Sequence, residues 1–238
     1  MYADPPHTNA DETFPLWPES DRSNEYNRTK AMGDRIVRQA NGSKLKTVVL
    51  RPGHAYGERQ VQGMAEAVNI AAGNGPLIQI GEGKNMVEVI SAKNFAIAHT
   101  LAAKALLYHS PAAGKVDGEA FNISDGRPVP FWHHVRVIWE GIRGRNVSEE
   151  IIILPGWIMI VASFLAEWLF WVVGLGKAKP PVELRRMSVE YCLYDHTHSI
   201  EKARERLLFD PTSDHDTAVP GAVRWMLENQ EGMIKKDK

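Results

Sequence analysis

Between Ser23 and Ile142 the chain alternates between helical and strand-like hydrophobic patterning. This alternation restricts the fold more than any other feature of the sequence. Residues 2–22, rich in Pro, Asp and Asn, read as loop. Ser23 or Asn24 can cap a helix that runs through Met32, Ile36 and Val37 and stops at Asn41-Gly42. Leu45–Arg51 is β-rich and ends at Pro52-Gly53, as a buried strand would. Residues 61–73 read as helix up to the Asn74-Gly75-Pro76 break, and Leu77–Ile80 and Met86–Ile90 as short strands around Gly81-Glu82-Gly83. Asn94–Tyr108 sets Phe95, Ala98, Leu101, Ala102, Ala105 and Leu106 on one helical face. Ala120–Ile123 is a further strand and Phe131–Ile142 a further helix. The pattern predicts an α/β fold built on a parallel sheet.

The character then changes. Ile151–Leu175 holds a single charge, Glu167, in 25 residues. A polar, Pro-marked stretch follows, then short helices expected near Ser199–Leu207 and Val219–Leu227. Two parts are expected: residues 1–147 with the strand–helix alternation, and residues 148–238 with the apolar segment. The net charge of −1 and the lack of a basic stripe argue against nucleic acid as a partner. The one cysteine, Cys192, excludes an internal disulfide framework and favours a cytosol-facing protein. No signal peptide is visible at the N-terminus. Four Asn-x-Ser/Thr sequons, at Asn27, Asn41, Asn122 and Asn146, read as chance.

The chemistry-bearing pattern is Tyr26-x-x-x-Lys30, near the start of the first helix. Residues four apart on a helix project together. A tyrosine titrates near ~10 and is a poor base at neutral pH, but an adjacent ammonium favours the phenolate. Such a phenolate can take the proton of a substrate alcohol while hydride leaves the carbon. By spacing alone the pair also fits a solvated helix face.

Its neighbours narrow the reading. Tyr26-Asn27-Arg28-Thr29-Lys30-Ala31 followed by Leu50-Arg51-Pro52-Gly53-His54-Ala55-Tyr56-Gly57 resembles the extended short-chain dehydrogenase/reductase superfamily. More narrowly the chain is similar to the 3β-hydroxysteroid dehydrogenase family. The likeness runs on through Ile80-Gly81-Glu82-Gly83-Lys84-Asn85, Asn94-Phe95-Ala96-Ile97-Ala98-His99 and Gly118-Glu119-Ala120-Phe121-Asn122-Ile123. It returns at Leu154-Pro155, Glu167-Trp168, Lys202-Ala203-Arg204 and Phe209-Asp210-Pro211. Within the family the nearest likeness is to fungal-type decarboxylating sterol-4α-carboxylate 3-dehydrogenases.

The resemblance implies the C-terminal half of a Rossmann-type fold: a truncated parallel sheet and a mainly helical substrate part. It implies NAD or NADP as cofactor and a sterol or steroid as substrate, and it allows a homodimer. Tyr26 would be the general base, and Lys30 its electrostatic partner and ribose anchor. Pro52, Gly53 and His54 would lie beside the nicotinamide, their backbone groups reading its carboxamide. The 3β-hydroxyl would become a ketone, and a carboxylate at C4 would then leave as CO₂. A steroid 3β-dehydrogenase with Δ5–Δ4 isomerase activity is the alternative, as is a catalytically incomplete fragment. The chain departs from the family in several ways. Only 25 residues precede Tyr26, without a glycine, so the family's glycine-rich phosphate turn is missing. The acidic residue for the adenosine ribose and the serine shortly upstream of the tyrosine are missing too, and an unpartnered sheet edge is expected in place of the central strands. Leu208 stands where the family usually has glycine.

Trp157–Leu175 is 19 residues long, close to the ~20 that cross a bilayer. Ser163 and Glu167, four apart, make a narrow polar stripe that favours a helix lying in the membrane interface. A buried core helix and a true span remain open, and Glu167 either lines a sterol pocket or reaches water. The terminal Lys235-Lys236-Asp237-Lys238 resembles a dilysine retrieval signal and, with the family likeness, points to the cytosolic face of the endoplasmic reticulum membrane. A solvated basic tail is the equal alternative. His133-His134 and His196/His198 lie close in sequence, but no carboxylate or cysteine completes a zinc set, and no metal is expected.

Overall fold

The computed structural model describes residues 2–3, 5–21, 23–60, 63–73, 75–108, 114–212 and 215–229. The elements run β1 (His7–Ala10), α1 (Glu25–Gln39), β2 (Val49–Pro52), β3 (His54–Tyr56) and α2 (Met64–Ala72). Then come β4 (Leu77–Ile80), β5 (Met86–Val87), β6 (Val89–Ser91), α3 (Ala92–Leu107), β7 (Ala120–Ile123) and β8 (Val129–Pro130). The chain continues through α4 (Phe131–Arg143), β9 (Ile151–Leu154) and α5 (Gly156–Val173). It ends in α6 (Arg186–Tyr191), β10 (His196–His198), α7 (Glu201–Leu207) and α8 (His215–Glu228).

These elements fall into two compact units. The first comprises residues 1–57, 88–128 and 196–218. Its strand pairs are parallel: β2 with β7, β3 with β6, and β1 with β10. The core joins Ile90, Phe121 and Ile123 from the strands to Ala98, Ala102, Ala203, Leu207 and Phe209 from α3 and the α7 region. Helix α3 starts on a Ser91 cap whose side chain accepts the Asn94 N–H. All four residues of β7 are buried, whereas β2 is half-buried and pairs with no other strand among the described residues.

The second unit comprises residues 58–87, 129–195 and 219–238. Here β4 pairs in parallel with β9 and β5 pairs antiparallel with β8. Helix α2 packs on α4, which buries Trp132, His134, Ile138 and Trp139 and stops at the left-handed Gly144. Helix α5 packs on α6 and on the 3₁₀ turn Val182–Leu184.

The structure departs from the expected elements where pairing is distant or segments are short. The stretch read as loop contains β1, whose partner in β10 lies some 190 residues on, at His196. The apolar run read from Ile151 as one segment divides into β9 and α5 at Pro155, which lacks the N–H a strand or helix interior would need. Met86–Ile90 splits at Glu88 into β5 and β6, and Leu45–Arg51 shortens to β2, Val49–Pro52.

Leu208 ends α7 in the left-handed region at φ 55°, with the N–H groups of Leu208 and Phe209 both directed to Ala203 O. That closure favours glycine, because a Cβ there crowds the following carbonyl. The Leu208 side chain is 76% exposed and so recovers little by packing. Leu208→Gly should therefore raise the unfolding free energy by about 1 kcal/mol in urea titration; a loss of stability would contradict this account of the cap.

Candidate active site

Helix α1 is set by its cap. Asn24 is buried, and its side chain accepts the Asn27 N–H at 3.0 Å. This places Tyr26 in the first turn and Lys30 one turn later. The Lys30 ammonium lies 5.6 Å from the centre of the Tyr26 ring, the geometry of a cation over an aromatic face. Tyr26 is 65% exposed and Lys30 is also exposed. The pair thus projects together from the helix, open to a ligand.

Farther along α1, Ala31 and Asp34 are buried, while Ile36 and Val37 face solvent. Asp34 takes a two-pronged ion pair from Arg51 on β2: Nε to Oδ2 at 2.7 Å and Nη2 to Oδ1 at 3.1 Å. Arg51 also donates to the Tyr2 hydroxyl at 2.9 Å, which in turn donates to Asn122 Oδ1 at 2.6 Å. Burial alone would lower the Arg51 pKa, but Asp34 and the Tyr2 hydroxyl more than offset it and the net shift is upward. Burial raises that of Tyr2. Sequence reasoning passed over both members of the pair. The available signal was a charged residue inside a strand read as buried, since a buried charge requires a partner.

Arg51 is followed by Pro52, Gly53 and His54, which connect β2 to β3. The Gly53 N–H donates to Ile123 O at 2.9 Å and the His54 N–H to Glu88 O at 2.7 Å. Both donors are thus committed to backbone carbonyls of the first unit. A Cβ added at Gly53 would stand 2.6 Å from Glu88 O, so this crossing admits glycine without displacement of the backbone. Burial holds the His54 imidazole below its ordinary value. All five expected site residues, Tyr26, Lys30, Pro52, Gly53 and His54, belong to the first unit, on α1 and at the C-terminal end of β2.

Other candidates resolve into structural roles. Gly81-Glu82-Gly83 joins β4 to β5, not a strand to a helix, and Gly174-Leu175-Gly176 follows the end of α5. Neither has the strand–turn–helix form that presents N–H groups to a phosphate. His196 and His198 pack against His7, with His7 Nδ1 and His196 Nδ1 3.3 Å apart and His198 stacked on Tyr2. Burial, with His7 and His196 adding to it, takes the His198 pKa down to about 3. A cavity of about 450 Å³ in the first unit is lined by Phe14, Leu16, Arg35, Arg38, Glu119 and Lys202, among others. It opens roughly 14–18 Å along α1 from Tyr26. Its cations are already engaged: Arg35 with Trp17 O, Arg38 with Gly118 O, and Lys202 with Glu119.

A family model described as the 3-beta hydroxysteroid dehydrogenase/isomerase family matches residues 2–152. The chain belongs to this family. Within the 3-beta hydroxysteroid dehydrogenase/isomerase family, it is 32% identical over 225 residues to the decarboxylating sterol-4-alpha-carboxylate 3-dehydrogenase of Saccharomyces cerevisiae, covering 92% of this chain and 61% of that protein. It is 30% identical over 205 residues to the Gibberella zeae protein of the same name, covering 86% and 67%. A 3beta-hydroxysteroid-dehydrogenase/decarboxylase of Arabidopsis thaliana is 29% identical over 204 residues, covering 85% and 45%. The chain thus spans 61% and 67% of the length of the two fungal relatives. Among solved structures, gox2253 superposes with a TM-score of 0.67 at 20% identity, covering 96% of this chain and 62% of that one. The dTDP-glucose 4,6-dehydratase of Bacillus anthracis, solved with NAD, superposes at 0.60 and 18%, covering 95% and 58%. At these identities the likeness speaks for the fold, the α/β Rossmann type of extended short-chain dehydrogenases.

Removing Asp34 from this family member would leave Arg51 buried and uncompensated. Asp34→Ala should lower the unfolding free energy by about 3–5 kcal/mol in denaturant titration. The apolar pair Asp34→Leu with Arg51→Met should recover most of it; a single variant as stable as wild type would remove the bridge from this role.

Proposed function

We propose that the protein to which this chain belongs oxidises the 3β-hydroxyl of a sterol to the 3-ketone with NAD or NADP. A 4-carboxylate, where present, is then lost. The observation that carries this reading is the exposed Tyr26–Lys30 pair on a helix clamped beside the Pro52–His54 turn, in a chain of this family. Tyr26 is the general base and takes the hydroxyl proton. Lys30 is its cationic partner, 5.6 Å from the ring centre, and the anchor for the cofactor ribose. The Pro52–Gly53–His54 turn takes the nicotinamide end in this reading, its shape set by the close packing of Gly53 on the Glu88 carbonyl. With the Gly53 and His54 N–H groups engaged in the sheet, this turn meets a carboxamide chiefly through acceptors. When bound, the nicotinamide supplies the hydride acceptor. A 3-ketone beside a 4-carboxylate is a β-keto acid; the C4–carboxylate bond breaks, CO₂ leaves and its electron pair forms the enol. In this reading residues 1–147 carry the cofactor end with interleaved substrate segments, and residues 148–238 the substrate and membrane part.

The substrate class accords with α5. It is the one helix among the described residues long and apolar enough to cross a membrane. Its inward side holds Ser163, fully buried, with Met159, Ile160, Ala162, Ala166 and Glu167 half-buried; the Glu167 carboxylate accepts the Arg186 N–H at 2.9 Å at the start of α6. The outward face carries Trp157 (70% exposed), Phe164, Leu165, Trp168 and Trp171 (62%). Such a face suits insertion parallel to the membrane plane, and the cytosolic face of the endoplasmic reticulum is the proposed site. The dilysine end lies outside the described residues.

Two measurements test this. In the complete protein, Tyr26→Phe should lower turnover roughly 10²–10⁴-fold, read on a panel of 4-carboxy and unsubstituted 3β-alcohols; unchanged turnover removes Tyr26 as the base. The protein should float with phosphatidylcholine vesicles, and replacing Trp157, Trp168 and Trp171 by Ser should cut the bound fraction at least about tenfold. Flotation that survives the triple substitution assigns the membrane contact elsewhere.

A further inference from the structure

Glu88 is a buried carboxyl that the mechanism does not use. It sits between β5 and β6, and its backbone and side chain reach three other segments of the first unit. Its carbonyl accepts the His54 N–H at 2.7 Å, and its N–H donates to His196 O at 3.0 Å. Its carboxyl accepts hydrogen bonds from the Ser124 side chain, just past β7, and from the His198 N–H on β10. The same carbonyl is the atom that a Cβ at Gly53 would strike at 2.6 Å.

We propose that Glu88 is the positioning residue of the Pro52–Gly53–His54 turn, fixing through its own backbone carbonyl the surface that this turn offers to the nicotinamide end of the cofactor. The inference rests on the dehydrogenase reading for its cofactor half and on geometry alone for its structural half. The backbone at 88 is the wall against which Gly53 lies and the acceptor that orients the His54 peptide. A wall is only as fixed as what holds it. Glu88 is held on the far side by its own side chain, which grips Ser124 and His198, while its N–H grips His196. A residue without that side chain keeps the strand hydrogen bonds but loses the two that brace the backbone from behind.

The chemistry of the carboxyl fits a brace better than a charge. Burial raises its pKa, and the Asp125 carboxylate adds to the rise against the opposing pull of Ser124, His198 and Arg204. Oε2 is buried and has no hydrogen-bond partner among the described residues. Leaving an ionised oxygen in this state would be expensive, whereas a neutral acid or an amide satisfies the same two donors. The prediction that separates a brace from a charge is therefore rescue by glutamine.

The test uses the complete protein as wild type, Glu88→Ala and Glu88→Gln. Amide hydrogen exchange is followed on peptides spanning residues 52–56, with α3 peptides as reference. The Michaelis constant for NAD or NADP is measured separately from kcat at saturating cofactor. Glu88→Ala should speed exchange at the turn while leaving α3 protected, and should raise the cofactor Michaelis constant roughly tenfold with kcat within about threefold. Glu88→Gln should stay within about twofold of wild type in both. Wild-type exchange at 52–56 in Glu88→Ala overturns the proposal, as does a Glu88→Gln variant as impaired as Glu88→Ala. Faster exchange with an unmoved Michaelis constant overturns its cofactor half. If wild type oxidises no 3β-alcohol, the dehydrogenase reading fails, and the exchange experiment still decides whether Glu88 braces the turn.

Discussion

The first unit depends on the ion pair between Asp34 and Arg51. Helix α1 offers its sheet little apolar surface: its inward residues are Ala31 and Asp34, and its larger apolar side chains Ile36 and Val37 face water. Hydrophobic burial alone would hold it weakly. The two parallel hydrogen bonds from the Arg51 guanidinium fix the helix in both distance and rotation. That rotation decides which way Tyr26 and Lys30 point, and the residue after Arg51 opens the turn expected to meet the cofactor. One buried bridge therefore registers both halves of the candidate site. It extends through the Tyr2 hydroxyl to Asn122 on β7, so the helix, the strand and the start of the chain share one polar network. A fully connected network of this kind specifies an arrangement more sharply than it stabilises one.

Glu167 shows how polarity can serve packing in an apolar helix. As the one charge in an apolar run, it reads as a pocket-lining group or as one reaching for water. One of its oxygens receives a backbone N–H in the first turn of α6, where the helix dipole also favours a negative group. Ser163, one turn earlier, donates to Ile160 O within α5. The polar stripe is thus consumed by folding, and the residues left over for the surroundings are almost all apolar.

Much of the fold was legible because α1, α3, α4 and the strands β4 and β7 carry strong local signals: caps, period and breakers. The Asn24 cap and the α3 face lie where the sequence puts them, and so do Tyr26 and Lys30, whose approach follows from helical spacing alone. What stayed hidden depends on distant partners. The β1 strand has no hydrophobic alternation of its own and exists because His7 and Ala10 find His196 and His198. The division of Met86–Ile90 at Glu88 reflects two strands that pair with different partners. Asp34 and Arg51 are ordinary surface residues by composition, and only their meeting across 17 positions makes them interior. The family likeness supplied the roles of Pro52, Gly53 and His54, which no spacing rule would single out. It also marked Leu208 as unusual, and the positive φ there gives the physical reason.

The outward face of α5 has a consequence for the protein's behaviour in plain buffer. Trp157, Trp168 and Trp171 together with Phe164 and Leu165 form more exposed apolar surface than a soluble monomer normally tolerates. In plain buffer, the cheapest way to cover it is another copy of the same face. Apparent molecular size should then grow with concentration and collapse on addition of a mild detergent. An aggregate seen on first purification would then report this exposed face, not a failure to fold.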